Sequence, residues 1–266
     1  ENYREGIFVG YRYFDSFDVE PAYPFGFGLS YTTFQYSNMQ AAQADGIYTV
    51  TVDVKNTGST PGKESVQLYL QKPYTDYDKQ NGIEKASAEL VGFAKTGILQ
   101  PGESQTLTIR VSGREFASYD AYGAKTYILD AGSYYLTVAT DSHNAVNNIL
   151  AAKGFTAADG MDAEGTAELA HKWTEEKLDA ETYATSANGT KIENQLSLAD
   201  PNLYEGTEGQ NVTWLSRNDW AGTYPSDEQI VLQLTDMLIA DLQRCRYLSN
   251  PGEYGDVQMP TLGADN

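Results

Sequence analysis

The chain has 266 residues, 37 of them acidic and 18 basic, and its formal net charge of −19 argues against a nucleic-acid or anionic-membrane partner, since those surfaces require clustered Lys and Arg. Its one cysteine, Cys245, excludes an intrachain disulfide, and with only His143 and His171 besides it the chain lacks the ligands of a Cys/His zinc site. We therefore expect no metal and no other cofactor. No run of 18 or more apolar residues occurs, so we also expect no transmembrane helix.

The first segment, residues 1–32, starts with an apolar run and continues as an aromatic loop. The run at 7–9 predicts an N-terminal strand that is buried on both faces. In PFGFGL at 24–29, Pro and Gly alternate with large apolar residues, so the backbone can approach its neighbours closely while the rings anchor it. This pattern predicts a packed aromatic seam between two domains.

Residues 33–153 have the pattern of an antiparallel β-sandwich. Apolar and polar residues alternate over 48–54 and 66–70, as expected for strands with one face on a core. Further short strands, bounded by Gly and Pro turns, are predicted at 90–93, 107–111 and 134–138. A helix that begins after an Asn144 cap and ends at Gly154 closes this predicted domain.

The connection 71–89 is long and lacks a sustained apolar period. Such loops either carry a function or are disordered. The favoured interpretation is that it drapes over a neighbouring domain, where Tyr74 and Tyr77 supply contact area and Asp76 and Asp78 meet sugar hydroxyls or basic groups.

The excess of acidic residues lies mainly after Gly154. Residues 154–213 are rich in Ala, Asp, Glu, Gly, Ser and Thr and are interpreted as a weakly ordered acidic connector. Residues 214–266 open a further linker, with either a short helix capped by Thr235 or one longer helix capped by Ser226. The sequence therefore predicts a partly irregular acidic extension with a short helix.

Four titratable residues stand in suggestive contexts. Asp15 and Asp18 flank an aromatic run, but turn carboxylates that accept local backbone N–H groups are the favoured interpretation. His143 is expected to be a hydrogen-bonded structural imidazole and His171 to be solvated. None of the four is nominated as catalytic.

Near the end of the chain, Asp219 lies between Trp214 and Trp220, an arrangement that resembles a sugar-stacking site. The favoured interpretation is instead a buried junction that anchors the connector, with Arg217 as the ion-pair partner of Asp219. Substrate-binding residues remain unknown from the sequence.

Three sets of motifs carry a family resemblance. EGIFVGYRYFD followed by YPFGFGLSYTTF resembles the junction of glycoside hydrolase family 3 between its α/β sandwich domain and its fibronectin type III-like domain. The spacing of NTG, KPY, ELVGF, LQPGESQTLTI and AGSYYLTVA resembles the latter domain over its whole length. LSRNDWAGTYP and YGDVQMPTLGADN look like the connector that leads toward the barrel domain in circularly permuted members.

The resemblance implies a mainly β, immunoglobulin-like sandwich that serves as a non-catalytic part of a retaining, exo-acting β-glycosidase of the β-glucosidase type. The family's nucleophile comes from the barrel domain and its acid/base from another domain, so neither is expected in this chain. The implied partners are the α/β sandwich and barrel domains, a β-glucoside or oligosaccharide substrate bound through them, and, as an open alternative, a second copy in a homodimer.

The alternative function is a free-standing carbohydrate-binding or structural fibronectin-like module. A bacterial cytoplasmic location and a cell-surface or secreted location both remain open, as do the sugar and the linkage.

Overall fold

The computed structural model describes residues 5–159, 161–194 and 214–217. Its helices are α1 (Tyr11–Ser16), α2 (Asp76–Asn81) and α3 (Ser142–Ala152), with short 3₁₀ turns at Gly113–Phe116, Ala157–Asp159 and Ala167–Leu169. Its strands are β1 (Phe34–Ala44), β2 (Ile47–Asn56), β3 (Ser65–Gln71), β4 (Glu89–Lys95), β5 (Ser104–Ser112), β6 (Ser118–Asp120), β7 (Thr126–Ile128), β8 (Gly132–Ala139) and β9 (Ala170–Glu175). None of the helices in this part of the chain is long and apolar enough to cross a bilayer.

Two antiparallel sheets face each other, so the predicted β-sandwich is confirmed. One sheet has the strand order β1-β2-β5 and the other β4-β3-β8-β9, while β6 and β7 form a separate hairpin. The inward residues of the two sheets meet in one core that includes Val50, Val52, Val54, Val66, Leu68, Leu70, Leu107, Ile109, Val111, Leu136 and Val138. In β5 these inward residues alternate with exposed polar ones, whereas β3 and β8 also bury residues on their outer face, among them Tyr69 and Ala139. The mainly β fold class predicted from the sequence is correct.

One glycine sets how closely the two sheets approach at their edge. A Cβ on Gly92, in β4, would lie 2.8 Å from the Cγ2 of Ile109, in the facing strand β5. Contacts under 3.0 Å are sterically prohibited between packed carbon atoms, so Gly92 permits this close approach.

The strand predicted at 7–9 is wrong. Val9 donates its backbone N–H to Ile7, and Phe8 donates to Glu5, so the backbone bonds locally instead of entering a ladder. Phe8 is buried against Phe17, with ring centroids 4.8 Å apart, whereas Val9 is 65% exposed. An apolar run of three residues is too short to distinguish a buried strand from a turn that buries one ring.

The closing helix is confirmed, but its cap is not Asn144. Asp141 is the N-cap, because its backbone is extended and its Oδ1 accepts the backbone N–H of Asn144 at 2.8 Å. The helix ends as predicted, since Gly154 adopts a left-handed φ of 90° and donates its N–H to Ala151. Asn148 ties α3 to β8 by a hydrogen bond to the carbonyl of Val138.

The interpretation of 154–213 as a weakly ordered connector is wrong for its middle part. Strand β9 extends the second sheet by pairing with β8 from Gly132↔Glu175 to Thr137↔Ala170. Trp173 of β9 stacks on Tyr134 with ring centroids 5.2 Å apart, and it also contacts Tyr48 and Phe116. The helices predicted after Ser226 or Thr235 lie outside the described residues.

Candidate functional site

The aromatic seam, residues 23–31, presents large apolar side chains to solvent. Leu29 is 93% exposed, Tyr31 98% and Tyr23 70%, and Phe25 and Phe27 are about half exposed. Tyr23 and Phe27 lie against each other with ring centroids 4.9 Å apart. Contiguous exposed apolar side chains of this size mark an interaction surface.

The base of the aromatic seam is fixed to the sandwich. Phe25 stacks on Tyr11 at 4.7 Å, and its carbonyl accepts the backbone N–H of Ser142 at 2.9 Å. Gly26 adopts a φ of 96°, and a Cβ there would lie 2.3 Å from the Oε1 of Gln67. The seam is therefore a positioned surface whose outer rings are open, and its packing against another domain stays a prediction.

Beside the seam, a cleft of about 530 Å³ separates α3 from the segment after α1. At its edge His143 bridges two carboxylates: Nδ1 lies 3.2 Å from Asp15 Oδ1, and Nε2 lies 2.6 Å from Asp162 Oδ2. The hydrogen bond that His143 donates to the carboxylate of Asp15 raises the pKa of His143 to about 9, although burial opposes this. Burial alone would raise the pKa of Asp162, but the bond from His143 holds it below its usual range.

This arrangement is an ion-pair network and not an acid/base pair, because an imidazole that stays protonated near neutral pH cannot act as a base. His143 is the hydrogen-bonded structural group that the sequence predicts. The prediction for Asp15 is wrong: its side chain is 2% exposed and pairs with an imidazole 128 positions away in the chain. Asp18 is exposed at the rim of the cleft, and His171 is exposed on β9 as predicted.

The loop 71–89 is ordered around a buried ion triad. Lys85 Nζ lies 2.7 Å from Asp78 Oδ1 and 2.5 Å from Asp130 Oδ2, and all three side chains are at most 1% exposed. Asp78 also closes the capping box of α2, since its Oδ2 accepts both the backbone N–H and the hydroxyl of Thr75.

These contacts correct part of the prediction for this loop. Asp78 cannot meet sugar hydroxyls, because it is wholly buried against Lys85. Tyr77 donates its hydroxyl to Asp120 at 2.7 Å, so it too is held by the sandwich. Asp76, by contrast, is exposed and pairs only loosely with Lys79. Draping of this loop over another domain stays a prediction.

Residues 214–217 return to the same loop. Arg217 donates to the carbonyl of Lys85 at 2.8 Å, and its guanidinium lies 5.3 Å from the ring centroid of Tyr74. Trp214 lies beside Gly6. The predicted partners Asp219 and Trp220 lie outside the described residues. Sequence reasoning missed Lys85 and Glu84, although the small residues of ASA directly after Lys85 were a signal of a buried, paired cation.

Comparison with known proteins defines the class of the domain. The fibronectin type III-like domain family matches residues 64–142, the part of the chain that contributes β3, β4, β5 and β8 to the sandwich. The described fold is accordingly a fibronectin type III-like β-sandwich.

The relatives of the chain are β-glucosidases. A β-glucosidase from Ruminococcus albus is 45% identical over 148 residues, covering 54% of this chain and 15% of that protein. Thermostable β-glucosidase B from Acetivibrio thermocellus is 39% identical over 148 residues, covering 54% and 18%. Among solved structures, β-glucosidase 3B from Thermotoga neapolitana in complex with glucose superposes with a TM-score of 0.50 at 33% identity, covering 66% of this chain and 20% of that one.

The chain thus matches less than a fifth of the length of these curated relatives. The matched region is similar to the fibronectin type III-like part of these β-glucosidases rather than to their catalytic domain, which supports its interpretation as a fragment of a glycoside hydrolase family 3 protein.

Proposed function

We propose that the chain is a non-catalytic structural part of a family 3 retaining, exo-acting β-glycosidase of the β-glucosidase type, which hydrolyses terminal non-reducing β-D-glucosyl residues. The observation that carries this proposal is the aromatic seam: a surface held firmly at its base by Tyr11 and Ser142, yet open along Tyr23, Leu29 and Tyr31. Its form is that of an interface whose other half belongs to another domain.

The carboxylates of the cleft argue for a structural part rather than a catalytic one. A retaining glycosidase needs one carboxylate as nucleophile and a second as acid/base, about 5–5.5 Å apart across the scissile bond. Here Asp15 and Asp162 share one protonated imidazole, which bonds to both carboxylates and occupies the space between them. This arrangement supports the proposal that the catalytic pair lies in other domains.

The proposed domain organisation keeps the boundaries that the sequence suggests. Residues 1–32 form the end of an α/β sandwich domain and the seam, and 33–153 form the fibronectin-like sandwich. The proposed connector 154–213 includes β9, which belongs structurally to the sandwich. Residues 214–266 begin a linker toward a barrel domain, as in circularly permuted members. The partners are these two catalytic domains, the β-glucoside they bind and, as a further open case, a second copy of the chain.

The experiment compares the purified chain with the full-length protein on an aryl β-D-glucoside. We expect turnover only by the full-length protein. Replacing Phe27→Ser there should lower its activity and its thermal stability, because the seam loses a ring against the catalytic domains, while the matched exposed substitution Phe93→Ser on β4 should change neither. Turnover by the chain alone, abolished by Asp15→Asn or Asp162→Asn, would place the active site here and refute the proposal.

A free-standing carbohydrate-binding module is the second candidate, favoured by the exposed pair Tyr23 and Phe27, since flat rings stack on sugars. Calorimetric titration of the chain with cello-oligosaccharides separates the two functions. Saturable binding that Tyr23→Ala abolishes would support the module, and no heat of binding would support the structural part.

A further inference from the structure

The loop between β3 and β4 has an inner and an outer face with different chemistry. Its inner face is fixed by the ion triad of Lys85 with Asp78 and Asp130. Its outer face carries Tyr74 and Glu84, both half-buried, on the surface that residues 214–217 contact.

Glu84 is the polar centre of this outer face. Its Oε1 accepts the hydroxyl of Ser216 at 2.5 Å, and its Oε2 accepts the backbone N–H of Arg217 at 3.0 Å. The hydroxyl of Tyr74 lies 3.4 Å from each of the two carboxylate oxygens. This carboxylate accepts one side-chain donor and one backbone donor from consecutive residues. It therefore binds only a segment whose two donors have this spacing and direction.

Arg217 adds a contact that a lysine cannot reproduce. Its Nη1 donates to the carbonyl of Lys85 at 2.8 Å, while the central carbon of the guanidinium lies over the ring of Tyr74, 5.3 Å from its centroid. A guanidinium can donate in its plane and stack through its face at once, whereas an ammonium is a point charge with no face. The site is therefore selective for Arg.

We propose that Tyr74, Glu84 and the carbonyl of Lys85 form a receptor for the chain's own Ser216-Arg217 pair. This intrachain clasp fixes the position from which the polypeptide continues after residue 217. Because Glu84 and the face of Tyr74 are occupied, this loop serves the chain's own connector and does not contact substrate through these groups. The proposal does not rest on the proposed function, since the clasp forms whether or not the domain supports a glycosidase.

The backbone amide of Arg217 reports the clasp directly. Amide hydrogen exchange of the purified chain, resolved by residue, is compared between the wild type and Glu84→Ala. We expect exchange of the Arg217 amide to rise about tenfold or more, because its acceptor is removed. Exchange at 66–70 in β3 should stay unchanged, and Glu115→Ala, an exposed carboxylate elsewhere on the sandwich, should leave Arg217 protected.

Variants at Arg217 and Tyr74 provide a second test, which still decides the question if Glu84→Ala perturbs the triad beneath it. Arg217→Lys should speed exchange of the amide at position 217 almost as much as Arg217→Ala, and Tyr74→Phe should retain more protection than Tyr74→Ala, since the ring and not the hydroxyl holds the guanidinium. Combining Glu84→Ala with Arg217→Ala should add little to either change alone.

Two results would overturn the clasp. One is a wild-type Arg217 amide that exchanges at the rate of an unstructured peptide. The other is protection at Arg217 that survives both Glu84→Ala and Tyr74→Ala, because the segment would then be held by other contacts.

Discussion

At the scale of single residues, the molecule buries more negative than positive charge in the triad. Lys85 supplies one cation to Asp78 and Asp130, and within the described residues Asp130 Oδ1 has no hydrogen-bond partner. Burial raises the pKa of Asp130 to about 6, against the lowering effect of Lys85. A folded pKa above the unfolded value means that the folded state binds the proton more tightly, so the stability from this group falls as the pH rises from about 4 to about 6.

We therefore expect Lys85→Met to lower the free energy of unfolding strongly, by an amount that depends on pH. It leaves two buried carboxylates without a cation and should cost about 3–5 kcal/mol of unfolding free energy at pH 7.5, with a smaller loss at pH 5, where a carboxylate can protonate. Asp130→Asn should cost less, because it removes the excess charge and leaves Lys85 paired with Asp78. Urea unfolding at both pH values measures this, with Lys79→Met, in an exposed pair, as the control. Equal effects of the two Lys variants would contradict the role of the triad.

The cost of replacing His143 should fall as the pH rises, whereas the cost of Lys85→Met should increase. Its folded pKa of about 9 lies above its ordinary value of 6.5, so its contribution is complete below about pH 6.5 and is lost as the pH rises through 9. We expect His143→Gln to cost about 1 kcal/mol at pH 6 and little at pH 10, since a partly exposed pair is screened by solvent. Thermal unfolding across this pH range measures it, and His171→Gln is the control. A His143→Gln effect that does not change with pH would show that the imidazole acts by packing alone.

At the scale of elements, how much the sequence predicts depends on how strongly one pattern dominates. Strand β2 alternates without interruption and was predicted, whereas β9, with the sequence AHKWTE, has one large apolar residue and no alternation. Its strand conformation comes from its pairing with β8, which is a tertiary interaction. The cap of α3 was misplaced because Asp141 and Asn144 are both good caps, and only the backbone geometry distinguishes them.

If tertiary packing through one ring holds β9, then Trp173→Ala should cost about 3 kcal/mol, the range for removing a large core aromatic that is partly exposed. The ring contacts Tyr134, Phe116 and Tyr48 between the two sheets. Denaturant unfolding gives the free energy, and hydrogen exchange should show β9 opening while β3 stays protected. His171→Ala, exposed on the same strand, should have almost no effect. A similar small effect for Trp173→Ala would make β9 a peripheral strand.

At the scale of the whole molecule, only some of the candidate surfaces could be predicted from the sequence. The aromatic seam is contiguous in sequence, and its Pro, Gly and ring spacing predicted an interface. The clasp joins Glu84 to Arg217 across 133 positions, and the bridge of His143 to Asp15 spans 128. No local pattern marks pairs so distant, because the sandwich topology brings them together.

The last expectation concerns how the net charge of −19 and the aromatic seam act together. Mutual repulsion keeps copies of the acidic chain apart at low salt, while the exposed rings attract apolar surfaces. At 1 M salt, where the Debye length falls to about 3 Å, we expect the chain to self-associate and to bind a hydrophobic dye in its folded state. The triple variant Tyr23→Ser, Phe27→Ser, Tyr31→Ser should lose most of both properties.

Sedimentation velocity and dye fluorescence at low and high salt measure these effects. The triple variant should retain its melting temperature, because two of its three rings are mostly exposed and the base of the seam is held by Phe25 and Gly26. A matched triple variant removes comparable apolar area from exposed side chains outside the seam. It combines Phe93→Ser, Ile98→Ser and Tyr122→Ser. If both triple variants reduce association equally, the seam is not a distinct interface, and the attraction is spread over the apolar surface of the sandwich.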